Sequence, residues 1–398
     1  MKIVQINAIY EKSSTGRTTK EMHEWLIAHN IDSYVFCSTG IDEKRKIGSP
    51  LDHKWHAFMS RVSGKQGYFS KRATRQLIHR LEQIMPDILI LRNFHANYVN
   101  LPMLLHYCIN NNIATIVVLH DCWFFTGHCC HYTEIDCQKW QHLCSKCPML
   151  KIDHESWLFD KSETIFKDKK SLFTSIPRLG IVGVSDWITN EARKSPIFQK
   201  AAIIERIYNW IDLKTFYPRD ASDLRKMLGL KDSDFVALGV SMTWDYKKGL
   251  DKFIEVAAVM PEIRVVMIGE RPAISFPTNV VFVRPTTSTD ELAKFYSMAD
   301  VLFNFSIQET FGKVAAESLA CGTPVIVNDA TANPEIVGEC GVVIRDNNLS
   351  QIVNAVKNIR EKSKCYYAER CVNRANQLFD KNKNLELYVN LFKYMSKW

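Results

Sequence analysis

Short apolar runs alternate along the chain with stretches whose hydrophobic residues recur at helical spacing. In the first half the runs are Ile3–Ala8, Tyr34–Cys37, Asp87–Leu91, Ala114–Leu119 and Gly180–Val184, and the helical stretches include Thr18–His29, Lys71–Met85 and Pro102–Asn111. A strand followed by a crossover helix is the rhythm of βαβ units, whose parallel sheets are covered on both faces and therefore read as continuous apolar runs. The rhythm restarts with Phe235–Val240, Arg264–Ile268, Val280–Val283, Val301–Asn304, Val325–Asn328 and Val342–Ile344, separated by helices near Leu250–Met260, Asp290–Met298 and Gly312–Ala320. The pattern predicts an α/β protein of two doubly wound, Rossmann-like domains, residues 1–205 and 206–380, with 381–398 a helix that crosses back to the first domain. Tyr208–Pro218, with a proline stop and no clean period, marks the hinge. Ligands of open α/β sheets sit beyond the carboxyl ends of the strands. Two such domains are expected to face each other across a cleft, with the chemistry on loops that follow strands.

Length agrees, because 398 residues exceed what one hydrophobic core usually supports. A hydrophobic fraction of 46% and a charged fraction of 24% exclude a disordered, collagenous or low-complexity chain. No apolar run approaches the roughly 18 residues of a membrane span. The opening Met1–Asn7 is interrupted by polar residues too early for a signal peptide. A cytoplasmic location is expected, and in that reducing compartment the 12 cysteines should be thiols or metal ligands. The formal charge is +8, with the basic excess in the first half.

The sharpest motif, Gln308–Ile326, follows the run Val301–Asn304. A glycine that starts a helix leaves the first backbone N–H groups open to an anion, and the helix dipole favours negative charge there. Phe311, Gly312 and Lys313 are thus candidates to grip a diphosphate. Glu309 and Glu317 stand at most about 12 Å apart at helical rise, the span of a nucleotide sugar. A carboxylate accepts hydrogen bonds from two vicinal hydroxyls, which places Glu309 on a donor sugar and Glu317 on a ribose. The plainer account is that acids are favoured at helix N-termini. Lys248 lies on another strand-to-helix loop, Val240–Leu250, where a fixed cation stabilises a departing diphosphate more in the transition state than in the ground state. Its plainer account is a solvated Lys247-Lys248 pair.

In the first half, His120 and Asp121 follow the run Ala114–Leu119. A histidine at a strand's carboxyl end suits proton handling or a hydrogen bond to a sugar hydroxyl, against the alternative of a packed structural imidazole. Ser13–Arg17, with Gly16, follows the first strand and opens a helix. Asn93–Tyr98 follows another strand and stays unassigned. Cys129, Cys137, Cys144 and Cys147 form C-x7-C-x6-C-x2-C, whose terminal C-x2-C before Pro148 suits a closed tetrahedral zinc site of structural role. Buried thiols or a redox pair are the alternatives, and Cys130, His128, His131 and His142 are further possible ligands.

Together these strings resemble the retaining family 4 glycosyltransferases of the GT-B fold, in which two glutamates separated by seven residues stand ahead of A-x-G-x-P-V-I. The resemblance also covers Ala299-Asp300, the glycine-started helix at Lys248-Gly249-Leu250 and the first-domain strings. It implies transfer, with retention, of a sugar from a UDP- or GDP-linked donor to a hydroxyl. Lys248, Glu309 and His120 are then the catalytic positions, and Gly16, Asp121, Ser241, Phe311, Gly312, Lys313 and Glu317 bind substrate. Where many relatives place an arginine, Met242, Thr243 and Trp244 are uncharged, leaving Lys247 or Lys313 as the second cation. No Asp-x-Asp motif calls for a catalytic divalent metal. The resemblance further implies a lipid-linked glycan acceptor in surface polysaccharide synthesis, and a cysteine clamp on an acceptor-side loop.

Residues 53–81 carry Lys54, Arg61, Lys65, Lys71, Arg72, Arg75 and Arg80 with no carboxylate, interleaved with aromatics. Such a segment suits an anionic leaflet at the cytoplasmic face of the inner membrane, or a solvated surface; no nucleic acid partner is expected. A GT-B epimerase or phosphorylase, and a non-catalytic zinc-containing binding protein, are the rival functions.

Overall fold

A computed structural model describes residues 1–397. The chain divides into two compact units, Met1–Ile207 joined by Leu385–Trp398, and Tyr208–Asn384. Each is built on a six-stranded parallel sheet.

The first unit contains β1 (Lys2–Ile9), β2 (Asp32–Thr39), β3 (Ile88–Leu91), β4 (Ala114–Leu119), β5 (Leu179–Gly183) and β6 (Ile203–Arg206), in the order β2-β1-β3-β4-β5-β6. β3, β4 and β5 are buried at every position, as expected for central strands with helices on both faces. β6 is the strand that the apolar pattern misses. It is half-buried throughout, and the polar Glu205 and Arg206 interrupt its run. Its edge position permits the partial exposure, and the two charged residues shorten the apolar run. The register places Ile3 beside Ile88 and Val117 beside Ile181, so the apolar runs coincide across the sheet.

The covering helices follow local chemistry. Pro50–Ser63 starts at a reciprocal cap in which Ser49 Oγ accepts from Asp52 N at 3.2 Å while Asp52 Oδ2 accepts from Ser49 N at 2.9 Å, and it stops at Gly64 in the left-handed conformation. Lys71–Ile84 buries Ala73, Thr74, Leu77 and Leu81 on one face and exposes Lys71, Arg72 and Arg75. The helix Lys381–Ser396 belongs mostly to this unit and buries Leu385, Tyr388, Phe392 and Met395.

The second unit contains β7 (Phe235–Val240), β8 (Ile263–Ile268), β9 (Val280–Val283), β10 (Val301–Asn304), β11 (Val325–Asn328) and β12 (Gly341–Ile344), in the order β12-β11-β10-β7-β8-β9. The strand order reverses between β7 and β10, which makes that pair the topological switch point. In the first unit the switch point lies between β1 and β3. A doubly wound sheet binds its ligand at the crevice outside the carboxyl ends of these pairs. No described helix is long and apolar enough to cross a membrane.

Two buried histidines make the first unit sensitive to acid. His23 Nδ1 lies 2.8 Å from Ser33 Oγ, and His56 Nδ1 lies 2.8 Å from Ser70 Oγ. Burial pushes His23 down to about 4 and His56 down to about 3. An unfolded imidazole protonates near pH 6.5, roughly, so below that value the unfolded chain binds more protons and stability falls as pH falls toward 4. The thermal unfolding midpoint should therefore drop between about pH 7 and pH 4.5, and drop less in a His23→Gln/His56→Gln double variant. Equal slopes for the two proteins would contradict the assignment.

Candidate functional site

The loops after β7 and β10 are brought together because the two strands pair directly, with Val301 beside Ala237. After β7, the Asp245 side chain accepts from Lys248 N at 3.0 Å and winds Tyr246–Lys248 into a single turn. Gly249 then takes a φ of 72° and opens the helix Leu250–Val259. A Cβ at Gly249 would stand 2.4 Å from Phe305 Cβ, so only glycine lets the two loops approach this closely. Ile307 N donates to Lys247 O at 3.1 Å across the same gap.

Within this junction Lys248 Nζ donates to Glu309 Oε1 at 2.7 Å and lies 3.5 Å from Ser306 Oγ. The pair is reachable from solvent, the lysine side chain being 39% and the glutamate 18% exposed. The Glu309 backbone is fixed twice by one hydroxyl. Thr331 Oγ1 accepts from Glu309 N at 2.8 Å and donates to Glu309 O at 2.7 Å. Below the loop, Asn333 Nδ2 donates to Ser306 O at 3.1 Å while its Oδ1 accepts from Asn304 Nδ2 at 3.2 Å. A cation and a carboxylate are thus held side by side on a buried amide platform.

Gly312 has a φ of 80° and caps the helix Lys313–Ala320. Its N-terminal amides are a ready anion site next to Lys313. Phe311 contributes backbone only, because its ring is buried between Tyr208 and Phe379, with centroids at 6.2 and 5.4 Å. Glu317 is also buried, and its Oε2 accepts from Tyr296 OH at 2.9 Å. Ser241 N donates to Ile268 O at 3.1 Å, and Ser241 Oγ donates to Thr243 O at 2.5 Å. The uncharged loop Met242–Trp244 does not leave a hole where a cation is expected. Trp244 is buried against Phe253 with ring centroids 4.9 Å apart and covers Gly239 and Gly269, where a Cβ would meet it at 2.8 and 2.7 Å.

In the first unit, Gly16 lies inside the helix Ser13–Ala28 rather than on the loop before it; the helix starts at Ser13, and Gly16 O accepts from Glu11 N at 3.0 Å. His120 ends β4, and Arg92 Nη1, from the end of β3, lies 3.1 Å from its Nε2. A guanidinium can only donate, so Nε2 is the acceptor and Nδ1 carries the proton. Asp121 turns inward. Its Oδ1 accepts from Trp123 N at 2.8 Å, and its Oδ2 accepts from Asn93 Nδ2 at 2.9 Å and faces His95 Nε2 at 3.2 Å. Burial disfavours charge on both partners, yet their mutual attraction outweighs it, raising His95 and holding Asp121 below the ordinary carboxylate range. Buried Lys169 donates to the carbonyls of Trp123 and Thr126, and desolvation lowers it to about 7.

Cys129, Cys137, Cys144 and Cys147 line one small enclosed space with His128 and Trp140. Among the described residues, the group of three metal-ligating side chains with donor atoms within 4.8 Å of one another is a different one, His95, Cys130 and His154. The predicted quartet is not drawn that tightly.

Residues 221–378 match the family described as Glycosyl transferases group 1. That span lies within the second unit. The D-inositol 3-phosphate glycosyltransferase of Mycobacterium sp. (strain KMS) is 30% identical over 165 residues, covering 38% of this chain and 36% of the relative. The chain spans under half the length of the curated relatives it matches. Sucrose-phosphate synthase from Thermosynechococcus elongatus superimposes with a TM-score of 0.69 at 17% identity, covering 99% of both chains. Anabaena HepE in complex with UDP and glucose gives 0.63 at 14% identity, covering 99% of this chain and 100% of that one. The fold is therefore GT-B. Within the second unit, the residues that sequence motifs missed are Thr331, Asn333 and Asn304, which carry no distinctive spacing. In the first unit Arg92 was missed, although a charged residue directly after an apolar run is a usable signal.

The closeness of the loops after β7 and β10 can be measured. Gly249→Ala must adopt a left-handed conformation and also push Phe305 away. Gly229→Ala, at a φ of 67° with nothing within 4 Å of its Cβ, meets only the first cost, about 1–2 kcal/mol. Chemical denaturation of the second unit should show the Gly249 variant losing roughly 2 kcal/mol more than the Gly229 variant. Equal losses would mean that the loops yield freely.

Proposed function

We propose that this chain is a retaining glycosyltransferase that moves a sugar from a UDP- or GDP-linked donor to a hydroxyl of a lipid-linked glycan in surface polysaccharide synthesis. The observation that carries the proposal is the Lys248–Glu309 pair at the switch point of a group 1 unit, beside the glycine-capped helix Lys313–Ala320. A nucleotide sugar has an anion and a polyol in fixed sequence. Its diphosphate fits the Gly312–Lys313 amides and Lys248, and its hexose hydroxyls fit the Glu309 carboxylate. As the glycosyl bond breaks, charge accumulates on the leaving phosphate, and Lys248 meets it without reorganising solvent. The acceptor hydroxyl then arrives on the face that the phosphate leaves, which retains the anomeric configuration. No carboxylate of the motif is needed as a covalent nucleophile, since Glu309 serves the sugar and Glu317 is spent on Tyr296. In the first unit, Arg92 orients His120 with its proton on Nδ1, an arrangement suited to a hydrogen bond with a sugar hydroxyl.

The surface of the first unit supports a lipid-linked acceptor. Trp55 and Phe58 on Pro50–Ser63 are exposed beside Trp157, Leu158 and Phe159. The Phe58 and Trp157 rings sit 6.1 Å apart, and the Arg61 guanidinium lies 6.0 Å from the Trp157 centroid. Exposed aromatics beside Arg61, on a helix that also carries Lys54, have the composition of a surface that docks on an anionic leaflet.

Incubation with UDP- and GDP-hexoses and a lipid-linked acceptor extract should give transfer whose product anomer matches the donor by NMR. Glu309→Gln should lower kcat by about 100-fold or more with little change in UDP affinity. Turnover of the nucleotide sugar without acceptor, or an inverted product, would sink the proposal. Co-sedimentation with phosphatidylglycerol vesicles should fall several-fold in Trp55→Ser/Trp157→Ser and with rising salt; salt-independent binding would count against the docking surface.

A further inference from the structure

Three segments of the first unit that are distant in sequence converge on one point. His95 comes from the loop after β3, Cys130 from the loop after β4, and His154 from the segment ahead of the helix Ser162–Thr174. Their donor atoms lie within 4.8 Å of one another, with Cys130 Sγ 3.0 Å from His154 Nε2 and the two imidazole centroids 5.0 Å apart. Asp121 Oδ2 is 3.2 Å from His95 Nε2. Tetrahedral zinc with bonds of about 2.0–2.3 Å holds its donors roughly 3.3–3.6 Å from each other, so closing this set requires shifts of about 1 Å.

The surroundings are those of a supported ligand set. Asn93 Nδ2 holds Asp121 Oδ2 at 2.9 Å, and Asp153 Oδ2 accepts from Cys130 N at 2.6 Å, fixing the thiol's backbone. A Cys-His-Asp nucleophile is ruled out by direction. Such a triad uses opposite ring nitrogens, whereas His154 Nε2 faces both Cys130 Sγ at 3.0 Å and Asp153 Oδ1 at 3.6 Å. The neighbouring Cys129 lines the separate space with Cys137, Cys144 and Cys147, so consecutive cysteines serve different clusters.

We propose that His95, Cys130 and His154 bind one zinc ion or a similar divalent transition metal, with Asp121 beside His95 as a supporting carboxylate. Binding displaces the Cys130 thiol proton to solvent and forms one metal–sulfur and two metal–nitrogen bonds, with water taking the fourth position. The ion ties the segments around residues 95, 130 and 154 together and fixes Asp121, hence the backbone of His120. This role is one of positioning and does not depend on the donor or acceptor proposed above.

The test uses the full chain purified without chelators and equilibrated with Zn2+ or Co2+. A Cys144→Ser/Cys147→Ser background removes the cysteine quartet as a competing site. In that background about one metal per chain should remain, and His154→Gln or Cys130→Ser should weaken binding at least about tenfold. The cobalt form should show a thiolate-to-cobalt charge-transfer band that Cys130→Ser abolishes, with circular dichroism confirming the fold of each variant. No metal in the background protein, or undiminished metal in a folded His154→Gln variant, overturns the proposal. UDP binding on the same samples keeps the two readings apart: metal without UDP binding counts against the donor site alone, and UDP binding without metal against this site alone.

Discussion

The direct pairing of β7 with β10 is the constraint on which the second unit's chemistry depends. Once the strand order reverses there, two loops separated by more than fifty residues must share a crevice, and the residues at their tips meet whatever their spacing in sequence. Gly249 lets the backbones close, Thr331 and Asn333 hold the second loop from beneath, and Lys248 and Glu309 find each other across the gap. With the pair in contact, each group satisfies the other. A ligand that offers only an anion or only hydroxyls leaves one partner behind uncompensated, whereas one that carries both in sequence replaces the whole interaction. On the function proposed above, the resting ion pair would act as a filter as well as a pair of contacts.

Much of this was legible in the sequence, for a physical reason. Strands buried on both faces announce themselves as uninterrupted apolar runs, and eleven of the twelve were visible in that way. β6 was not, because Glu205 and Arg206 cut its apolar run to two residues, whereas the other edge strands β2, β9 and β12 keep longer ones. The glycine-opened helix at Gly312 and the position of Lys248 at a helix start were legible because helix termini have chemical signatures. Contacts made across the sheet were not. That Glu317 turns to Tyr296, that Trp244 is packed where a guanidinium was expected, and that Arg92 orients His120 all depend on tertiary placement. Cys129 and Cys130 are adjacent in the chain but belong to different clusters, which no count of spacings reveals.

The first unit solves a different problem. Its switch-point region buries Arg92, Asp121 and Lys169, which are costly inside a protein unless each is paired. Arg92 meets His120, Asp121 meets His95 and Asn93, and Lys169 caps the carbonyls of Trp123 and Thr126. Each of these contacts ties the His120–Thr126 segment to a neighbouring element. The segment that carries His120 is thus densely bonded to its surroundings.

The division of the chain also bears on how the protein comes into being. The second unit is encoded as an insertion within the first, because residues 385–397 complete the core begun by residues 1–207. On the ribosome the second unit is finished and able to fold while its predecessor still lacks Tyr388, Phe392 and Met395. The earlier-made half must wait, with apolar surface uncovered, for the closing helix to emerge. Synthesis that stalls before that helix would release a chain whose second unit is whole and whose first is a target for chaperones and proteases.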